Sequence, residues 1–291
     1  MSDFLSELEL FCEEHRLDDS TLGKAYESVG ARGRSILKTS IAALYDAYPP
    51  DAVLSSSTRH AVFDSGHIEF RRSPVQAVFI VFPSHVSAAS LLALAVPAMT
   101  SGATEVVCIC SAEKGNVPRH ETLAALELAG VENILSCSGE KLSNFLRRSD
   151  VAQGSTLCIG LALQSADMFF PSDFTPTLVG SPHLGVFFPE HAVENYGVDF
   201  DALETAFAGD SVTLWNAPTC GEGTPHFFSC QTGSWEKFCS AGYEGVLVAQ
   251  EFFEPAGKIF PLVLGPGCEG LWLYPQCRRE LFLRQQLFAS F

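Results

Sequence analysis

The sequence predicts an α/β fold in which a parallel sheet is flanked by helices and preceded by N-terminal helices. Short apolar runs alternate with helix-type segments, at the spacing that is typical of strand–helix–strand units. The apolar runs are also almost continuous, as expected of strands that are covered on both faces. We therefore expect residues 78–82, 106–110, 134–136 and 156–161 to form one parallel sheet.

Residues 3–48 are predicted to be helical, and they end before Pro49 and Pro50. Apolar residues recur at helical spacing in two places, which indicates two helices. Their apolar faces consist of Phe4, Leu5, Leu8 and Phe11 in the first helix, and of Ile36, Leu37, Ile41 and Leu44 in the second. Residues 51–73 are expected to be a connector, with a short strand at 61–63.

The segment after the first predicted strand is a helix that is apolar on nearly every face. Ser84 or Ser87 can cap its first turn, and Gly102 is suited to end it. Pro97 lies inside this helix, where it removes a backbone donor and is expected to produce a kink. Because the helix has no polar face, we expect it to be buried against the sheet.

The second half of the chain repeats the alternation of strands and helices less regularly. Strands are predicted at 186–188, 211–215, 245–248 and 259–264, and helices at 201–207, 234–239 and 278–288. Prolines and glycines interrupt residues 165–182, which indicates a boundary there. We expect an N-terminal helical segment at 1–60, a Rossmann-like α/β domain at 61–180 and a second, smaller α/β domain at 181–291.

The composition restricts the compartment and the partners. The 291 residues carry a net charge of −16, which opposes binding to the phosphates of nucleic acid. The longest apolar run is too short to span a bilayer, and no signal peptide is expected because residues 1–17 are acidic and amphipathic. None of the ten cysteines forms a Cys-x-x-Cys pair. We therefore expect a cytoplasmic protein with reduced thiols, no disulfide, and no nucleic-acid or membrane partner.

Four segments carry a resemblance to a known family. They are Ala31-Arg32-Gly33 with Tyr45-Asp46, Arg71 and Pro74 before the first strand, residues 94–98 with 102–107 and 124–131, and Pro189-Glu190-His191 with Asp199. Together they resemble the histidinol dehydrogenases, which belong to the aldehyde dehydrogenase-like superfamily. The resemblance touches under half of the chain, and the third segment is the most specific because of its internal proline.

The resemblance implies a fold, a cofactor and a pair of catalytic residues. By likeness to the family, Glu190 and His191 would serve the acid–base steps of alcohol oxidation, and a homodimer with NAD(P) as cofactor is expected. The alternative for this pair is a solvent-exposed loop after a strand. Ligands of open α/β sheets bind at the carboxyl ends of strands, so the cofactor-binding residues are expected to be Pro83, Ser84, His85, Ser138 and Gly139.

The sequence departs from the family at its metal and glycine motifs. No glutamine is followed by histidine three positions later, so the family's zinc site is not expected. Ser84-His85 stands where the family has Gly-Gly after its first strand, and Ser138-Gly139-Glu140-Lys141 replaces Gly-Gly-Ala-Gln. The serines at this edge are open to a second interpretation, which is helix capping.

Two other chemistries remain open from the residues alone. Histidine and cysteine side chains could form a metal site if loops brought them together, namely His183, His191, Cys220, His226 and Cys230. Cys220 lies in a glycine-rich loop and could act as a nucleophile if its pKa were lowered. The alternative for each is a residue without chemical function.

The sequence favours an NAD(P)-linked dehydrogenase-like protein that acts on a small alcohol or aldehyde. The alternative is a non-catalytic relative that has lost its zinc site and cofactor and serves as a ligand-binding or assembly module. Retention of Pro189-Glu190-His191 favours the first, and loss of the Gly-Gly and zinc motifs favours the second. Either protein would have a small-molecule ligand.

Overall fold

A computed structural model describes residues 2–50, 56–63, 66–111, 117–148, 156–163, 177–189, 197–218, 228–277 and 279–290. Its helices are α1 Ser2–His15, α2 Asp19–Ser28, α3 Gly30–Ala47, α4 Ala88–Thr100, α5 His120–Ala129, α6 Gly139–Arg148, α7 Phe200–Phe207, α8 Trp235–Cys239 and α9 Phe253–Gly257. Its strands are β1 Ser56–Phe63, β2 Gly66–Pro74, β3 Ala77–Phe82, β4 Glu105–Ser111, β5 Asn133–Cys137, β6 Thr156–Leu161, β7 Thr177–Val179, β8 His183–Phe187, β9 Ser211–Trp215, β10 Phe228–Gln231, β11 Gly245–Leu247, β12 Val263–Leu264 and β13 Leu283–Ser290.

The first parallel sheet has the strand order β5-β4-β3-β6-β7. All of its neighbouring strands are parallel, with Ile80 of β3 opposite Cys108 of β4 and Ile159 of β6. Every residue of β3 is buried, because helices cover both faces of the sheet. The predicted parallel sheet is therefore confirmed, with β7 as an additional edge strand.

Helix α4 lies in the centre of the molecule. Apart from Met99, all of its residues are buried, and Pro97 lies in its last turn. Leu91 and Leu94 belong to the core that includes the strands of the first sheet, whereas Leu92 packs among residues of α3 and α5. The expected burial against the sheet is confirmed, and the kink at Pro97 stays a prediction.

We expect Leu92→Ala to lower the free energy of unfolding by about 2–5 kcal/mol, since it leaves a cavity in a site that is fully buried. Reversible denaturation with urea measures this change. Leu10→Ala is the matched control, because Leu10 on α1 is 66% exposed and its truncation should cost under about 0.5 kcal/mol. A cost well under about 1 kcal/mol at Leu92 would contradict its packing between α3 and α5.

Three N-terminal helices form where the sequence indicated two. Helix α2 begins after Asp18, whose side chain accepts a hydrogen bond from the Thr21 backbone N–H. Helix α1 packs its apolar face, with Phe4 and Leu8, against the first sheet. Helix α3 instead packs on α4 and α5. The additional helix was missed because α2 buries only Ala25 and so shows little apolar periodicity.

The second parallel sheet has the strand order β10-β9-β8-β11-β12. In each parallel sheet the strand that comes first in the sequence, β3 or β8, is central. The next two strands of the sequence lie on one side of it, and the last two lie on the other side. Both sheets therefore reverse their strand order beside the central strand, which is where open α/β sheets bind ligands. The division of the chain into domains at 60 and 180 stays a prediction.

The C-terminal segment corrects the prediction of a helix at 278–288. Among the described residues of this segment, only a short 3-10 turn, Arg279–Phe282, is helical, and β13 follows it. Strand β13 pairs antiparallel with β2, which also pairs antiparallel with β1. The local apolar pattern is compatible with a helix, but long-range pairing with β2 supplies the backbone hydrogen bonds instead. This three-stranded sheet exposes Phe70, Leu287 and Phe288.

The cysteines are partly as expected. Eight of those in the described part of the chain are free, and burial raises the pKa of Cys108 to about 12 and of Cys137 to about 11. Such thiols are poor nucleophiles at neutral pH. Cys230 is disulfide-bonded, so the expectation of a chain without disulfides is wrong at this position.

Candidate functional site

The expected cofactor-binding residues lie at the carboxyl edge of the first sheet. Pro83 is buried after β3, Ser84 is partly exposed and His85 is exposed. Ser138 is exposed after β5, and Gly139 begins α6. Because β4 lies between β3 and β5, the two groups are separated by two strand spacings, or about 10 Å. The structure thus places these residues at one edge, in two groups.

The two expected catalytic residues, Glu190 and His191, lie outside the described residues. The described chain before them ends at Pro189, just after the carboxyl end of β8. Cys220 and His226 also lie outside the described residues. The roles of all four residues therefore stay predictions.

The N-terminus of α4 holds a buried cluster that the sequence did not reveal. Ser87 caps the helix and accepts the Ser90 backbone N–H at 3.1 Å. The Oδ2 atom of Asp210 accepts hydrogen bonds from the Ser87 hydroxyl and, at 2.5 Å, from the Ser90 hydroxyl. Helix capping by Ser87 is as expected, but its partner lies 123 residues away.

Asp210 is an unusual carboxyl group. Asp210 is only 4% exposed, and its Oδ1 atom is buried without a hydrogen-bond partner. Burial raises the pKa of Asp210 to about 7, and the Ser87 and Ser90 hydrogen bonds oppose that rise. Glu244 adds a repulsive charge that raises the pKa further. No local sequence signal marks this residue, since a Gly-Asp pair before a strand is ordinary turn composition.

Gly209 brings Asp210 against the segment that follows β3. Its φ of +109° is a conformation that side chains rarely adopt. A Cβ atom built on Gly209 would lie 1.9 Å from the His85 carbonyl oxygen. The amino end of β9, in the second sheet, is therefore in direct contact with the amino end of α4, in the first half of the chain.

The contact between Asp210 and the N-terminus of α4 affects whether a dinucleotide can bind at this helix end. The Rossmann mode of binding places a pyrophosphate at the N-terminus of the helix after the first strand, with glycines that allow close approach. In this chain that helix end is buried, with Ser87 and Ser90 fully covered and Asp210 already hydrogen-bonded to both. A pyrophosphate does not fit there. At the same edge of the sheet, Ser84, His85 and Ser138 remain accessible.

A separate cleft of about 290 Å³ is lined by none of these edge residues. Helix α3, the start of α7 and residues 267–271 line it, and Glu269 and Asp199 are its acidic residues. Glu269 is buried and accepts the Gly267 backbone N–H at 3.0 Å, while Asp199 pairs with Arg32 at 3.1 Å. No local signal in the sequence marks this cleft, because its residues come from three distant segments.

The alternative metal site receives no support from the described residues. Across those ranges, no group of three or more His, Cys, Asp or Glu side chains is arranged to hold a metal ion. His183 instead lies 3.3 Å from the Thr213 hydroxyl and contacts Tyr243 edge to face. The disulfide at Cys230 removes that thiolate from the donor set.

Comparison with known proteins identifies the fold class. The chain matches no family model and no curated protein. Among solved structures, it is similar to histidinol dehydrogenase from Elizabethkingia anophelis, with a TM-score of 0.53 and 12% identity, over 95% of this chain and 76% of that one. It is also similar to methylmalonate-semialdehyde dehydrogenase from Oceanimonas doudoroffii, with a TM-score of 0.52 and 8% identity, over 93% of this chain and 84% of that one.

These similarities show that the chain has the aldehyde dehydrogenase-like fold. The expected fold class is confirmed, with parallel sheets flanked by helices. At this level of identity the likeness shows the fold alone, since one fold hosts many functions. Separately, none of the helices that the structure describes is long and apolar enough to cross a membrane.

Proposed function

We propose that the protein is an NAD(P)-linked, dehydrogenase-like enzyme that acts on a small alcohol or aldehyde, in the manner of histidinol dehydrogenase. One observation carries this proposal: the chain shares its fold with two dehydrogenases over more than nine-tenths of its length. Retention of Pro189-Glu190-His191 after β8 adds to it.

Glu190 and His191 have distinct roles in this proposal. The Glu190 carboxylate accepts the proton of the substrate hydroxyl, and His191 relays that proton to solvent, since a histidine side chain can both accept and release a proton. NAD(P) is the expected oxidant. We place its binding at Ser84, His85, Ser138 and Gly139, with Pro83 shaping the turn, and we assign no role to the buried N-terminus of α4.

A turnover assay tests the proposal. Purified full-length protein is incubated with NAD+ or NADP+ and a panel of small alcohols and amino alcohols, and with the reduced cofactors and small aldehydes. The proposal expects cofactor reduction or oxidation with at least one substrate class. Protein that binds a panel compound without binding a dinucleotide or turning the compound over would instead support the second candidate.

That second candidate is a non-catalytic relative that serves as a ligand-binding or assembly module. The Asp210 cluster favours it, because it closes the position where a Rossmann-type dinucleotide would place its phosphates. Zinc is not expected in either candidate. A ligand from the panel that raises the melting temperature in the absence of any dinucleotide would identify this class.

We further propose that the protein forms a homodimer through its antiparallel sheet. Strands β1 and β13 are the edges of this sheet, and Leu287 on β13 is 63% exposed. Exposed apolar side chains on a sheet with open edges are a common basis of association between copies.

We expect Leu287→Glu to shift the protein from dimer to monomer, because it places a charge in the proposed interface. Light scattering coupled to size-exclusion chromatography measures the mass. Leu10→Glu is the control, since Leu10 is similarly exposed and belongs to α1, which packs against the first parallel sheet. A wild-type chain that is monomeric at high concentration would contradict the proposed dimer.

We also propose a cytoplasmic location and no nucleic-acid partner. The net charge of −16 supports the absence of a nucleic-acid partner. The eight free thiols among the described residues support a cytoplasmic location, and the disulfide at Cys230 counts against it. A membrane partner is not part of the proposal. Cell fractionation tests the location, and recovery of the native protein in a secreted fraction would contradict it.

A further inference from the structure

The buried contact between Asp210 and α4 joins the two halves of the molecule. Asp210 immediately precedes β9 of the second sheet, whereas Ser87 and Ser90 form the first turn of the helix that follows β3. The three side chains are buried, and two hydroxyl hydrogen bonds converge on one carboxyl oxygen. The other oxygen, Oδ1, has no partner.

We propose that the Asp210 carboxyl group is the resident occupant of the α4 N-terminus, and that it fixes the second sheet to the first while excluding a ligand's phosphate from this position. The first turn of an α-helix carries unsatisfied polar groups, which a side chain or a ligand's phosphate can occupy. In this chain the protein supplies that group from its own second half. Any dinucleotide must therefore place its phosphates elsewhere on the carboxyl edge.

Two further features of the structure support a specific contact between Asp210 and the N-terminus of α4. Gly209 adopts a positive φ, which favours glycine. Its backbone also lies so close to the His85 carbonyl oxygen that there is no space for a Cβ atom. Tyr274, from the C-terminal part of the chain, lies beside the cluster: its hydroxyl is hydrogen-bonded with Ser90, and burial and the charge of Asp210 raise the pKa of that hydroxyl. Three distant segments thus converge on one helix end.

Chemical rescue provides the first test. Asp210→Ala should lower the melting temperature, and sodium formate should restore part of the loss, because formate carries the deleted carboxylate. Sodium chloride at the same ionic strength is the salt control. Wild type and Asp210→Asn should show no specific response to formate, because the side chain at position 210 already occupies the space that formate would enter. An equal response of all three proteins to formate, or an unchanged melting temperature in Asp210→Ala, would overturn the proposal.

The pH dependence of stability provides a second test that does not need Asp210→Ala to fold. The pKa of Asp210 is about 7 in the folded protein, against a usual value of 3.8. Between about pH 4 and about pH 7 the folded protein therefore holds a proton that the unfolded chain has released. Stability from this group is fully present at the lower pH and decreases as pH rises through that window.

Asp210→Asn cannot release this proton, so it isolates the effect of Asp210 from that of other titrating groups. We expect the melting temperature of wild type, relative to Asp210→Asn, to fall by several degrees across the window and to level off above it. Glu244 and Tyr274, which influence the same cluster, are present in both proteins. A constant difference across this range would contradict a buried, proton-binding carboxyl group at this helix end.

The Asp210 contact is independent of the proposed dehydrogenase activity. If neither NAD+ nor NADP+ binds, the dehydrogenase proposal fails and both tests above can still support the contact. If a dinucleotide does bind, a structure of the complex with a phosphate at Ser87 and Ser90 would overturn the exclusion. A phosphate that lies near Ser138 would agree with it.

Discussion

Glu190→Gln is expected to lower kcat by a factor of about 10²–10⁴, because the amide cannot accept the proton that leaves the substrate hydroxyl. The free energy of unfolding should stay within about 0.5 kcal/mol of wild type, since an isosteric change of a residue that acts by proton transfer removes little packing. Steady-state turnover with the best substrate of the panel, together with urea denaturation of the same preparation, measures both quantities.

Glu127→Gln is the matched control for this variant. It makes the same chemical change at an exposed position on α5, and it should leave both turnover and stability unchanged. Full activity of Glu190→Gln would remove the proposed catalytic role from Glu190. A loss of stability that parallels the loss of activity would instead assign this residue a structural role.

Gly209→Ala is expected to cause the largest loss of stability among the variants considered. The added Cβ would lie 1.9 Å from the His85 carbonyl oxygen, which is backbone and cannot rotate away. Overpacking of this kind costs about 1–3 kcal/mol or more, and the positive φ adds strain of about 1–3 kcal/mol. We expect an unfolding free energy several kcal/mol lower than wild type, or failure to accumulate folded protein.

Gly23→Ala is the control for the effect of adding a methyl group to a glycine. Gly23 lies within α2 and has no positive φ, and a Cβ atom at this position would have no atom within 4 Å apart from its chain neighbours and the backbone of its own helix. Alanine is the better helix former, so this variant should be neutral or slightly more stable. A Gly209→Ala protein that is as stable as wild type would contradict the close contact between the two halves.

The sequence sufficed for the parts of the fold in which local pattern and tertiary environment agree. Strand β3 is apolar throughout because both of its faces are covered, and α4 is apolar on nearly every face because it lies in the centre. Such segments have few alternative conformations that bury their side chains. Their place in a parallel sheet therefore follows from residue type and spacing.

Elements that depend on distant partners were harder to predict. Strand β13 takes its conformation from β2, which lies in the first third of the chain, and its own sequence also suits a helix. The short edge strands β7 and β10 are three and four residues long, and neither was predicted from the sequence. Long-range pairing decides such segments, and it leaves no local signal.

The candidate site shows the same contrast. Ser84, His85 and Ser138 follow apolar strands, so their location at the carboxyl edge could be predicted from the order of elements. Asp210 could not be found in this way, because its partners lie more than a hundred residues away and its neighbours resemble an ordinary turn. A buried carboxyl group is evident only when the packing around it is known.

The most direct test of the central claim is a thermal-shift titration of the full-length chain with NAD+ and NADP+. A ligand that binds only the native state adds about 2.7 kcal/mol of stability at a concentration of about 100 times its Kd. The dehydrogenase proposal predicts a saturable rise in melting temperature with at least one of the two dinucleotides. Unchanged melting temperatures with both, at concentrations where NAD(P)-dependent enzymes are saturated, would contradict it.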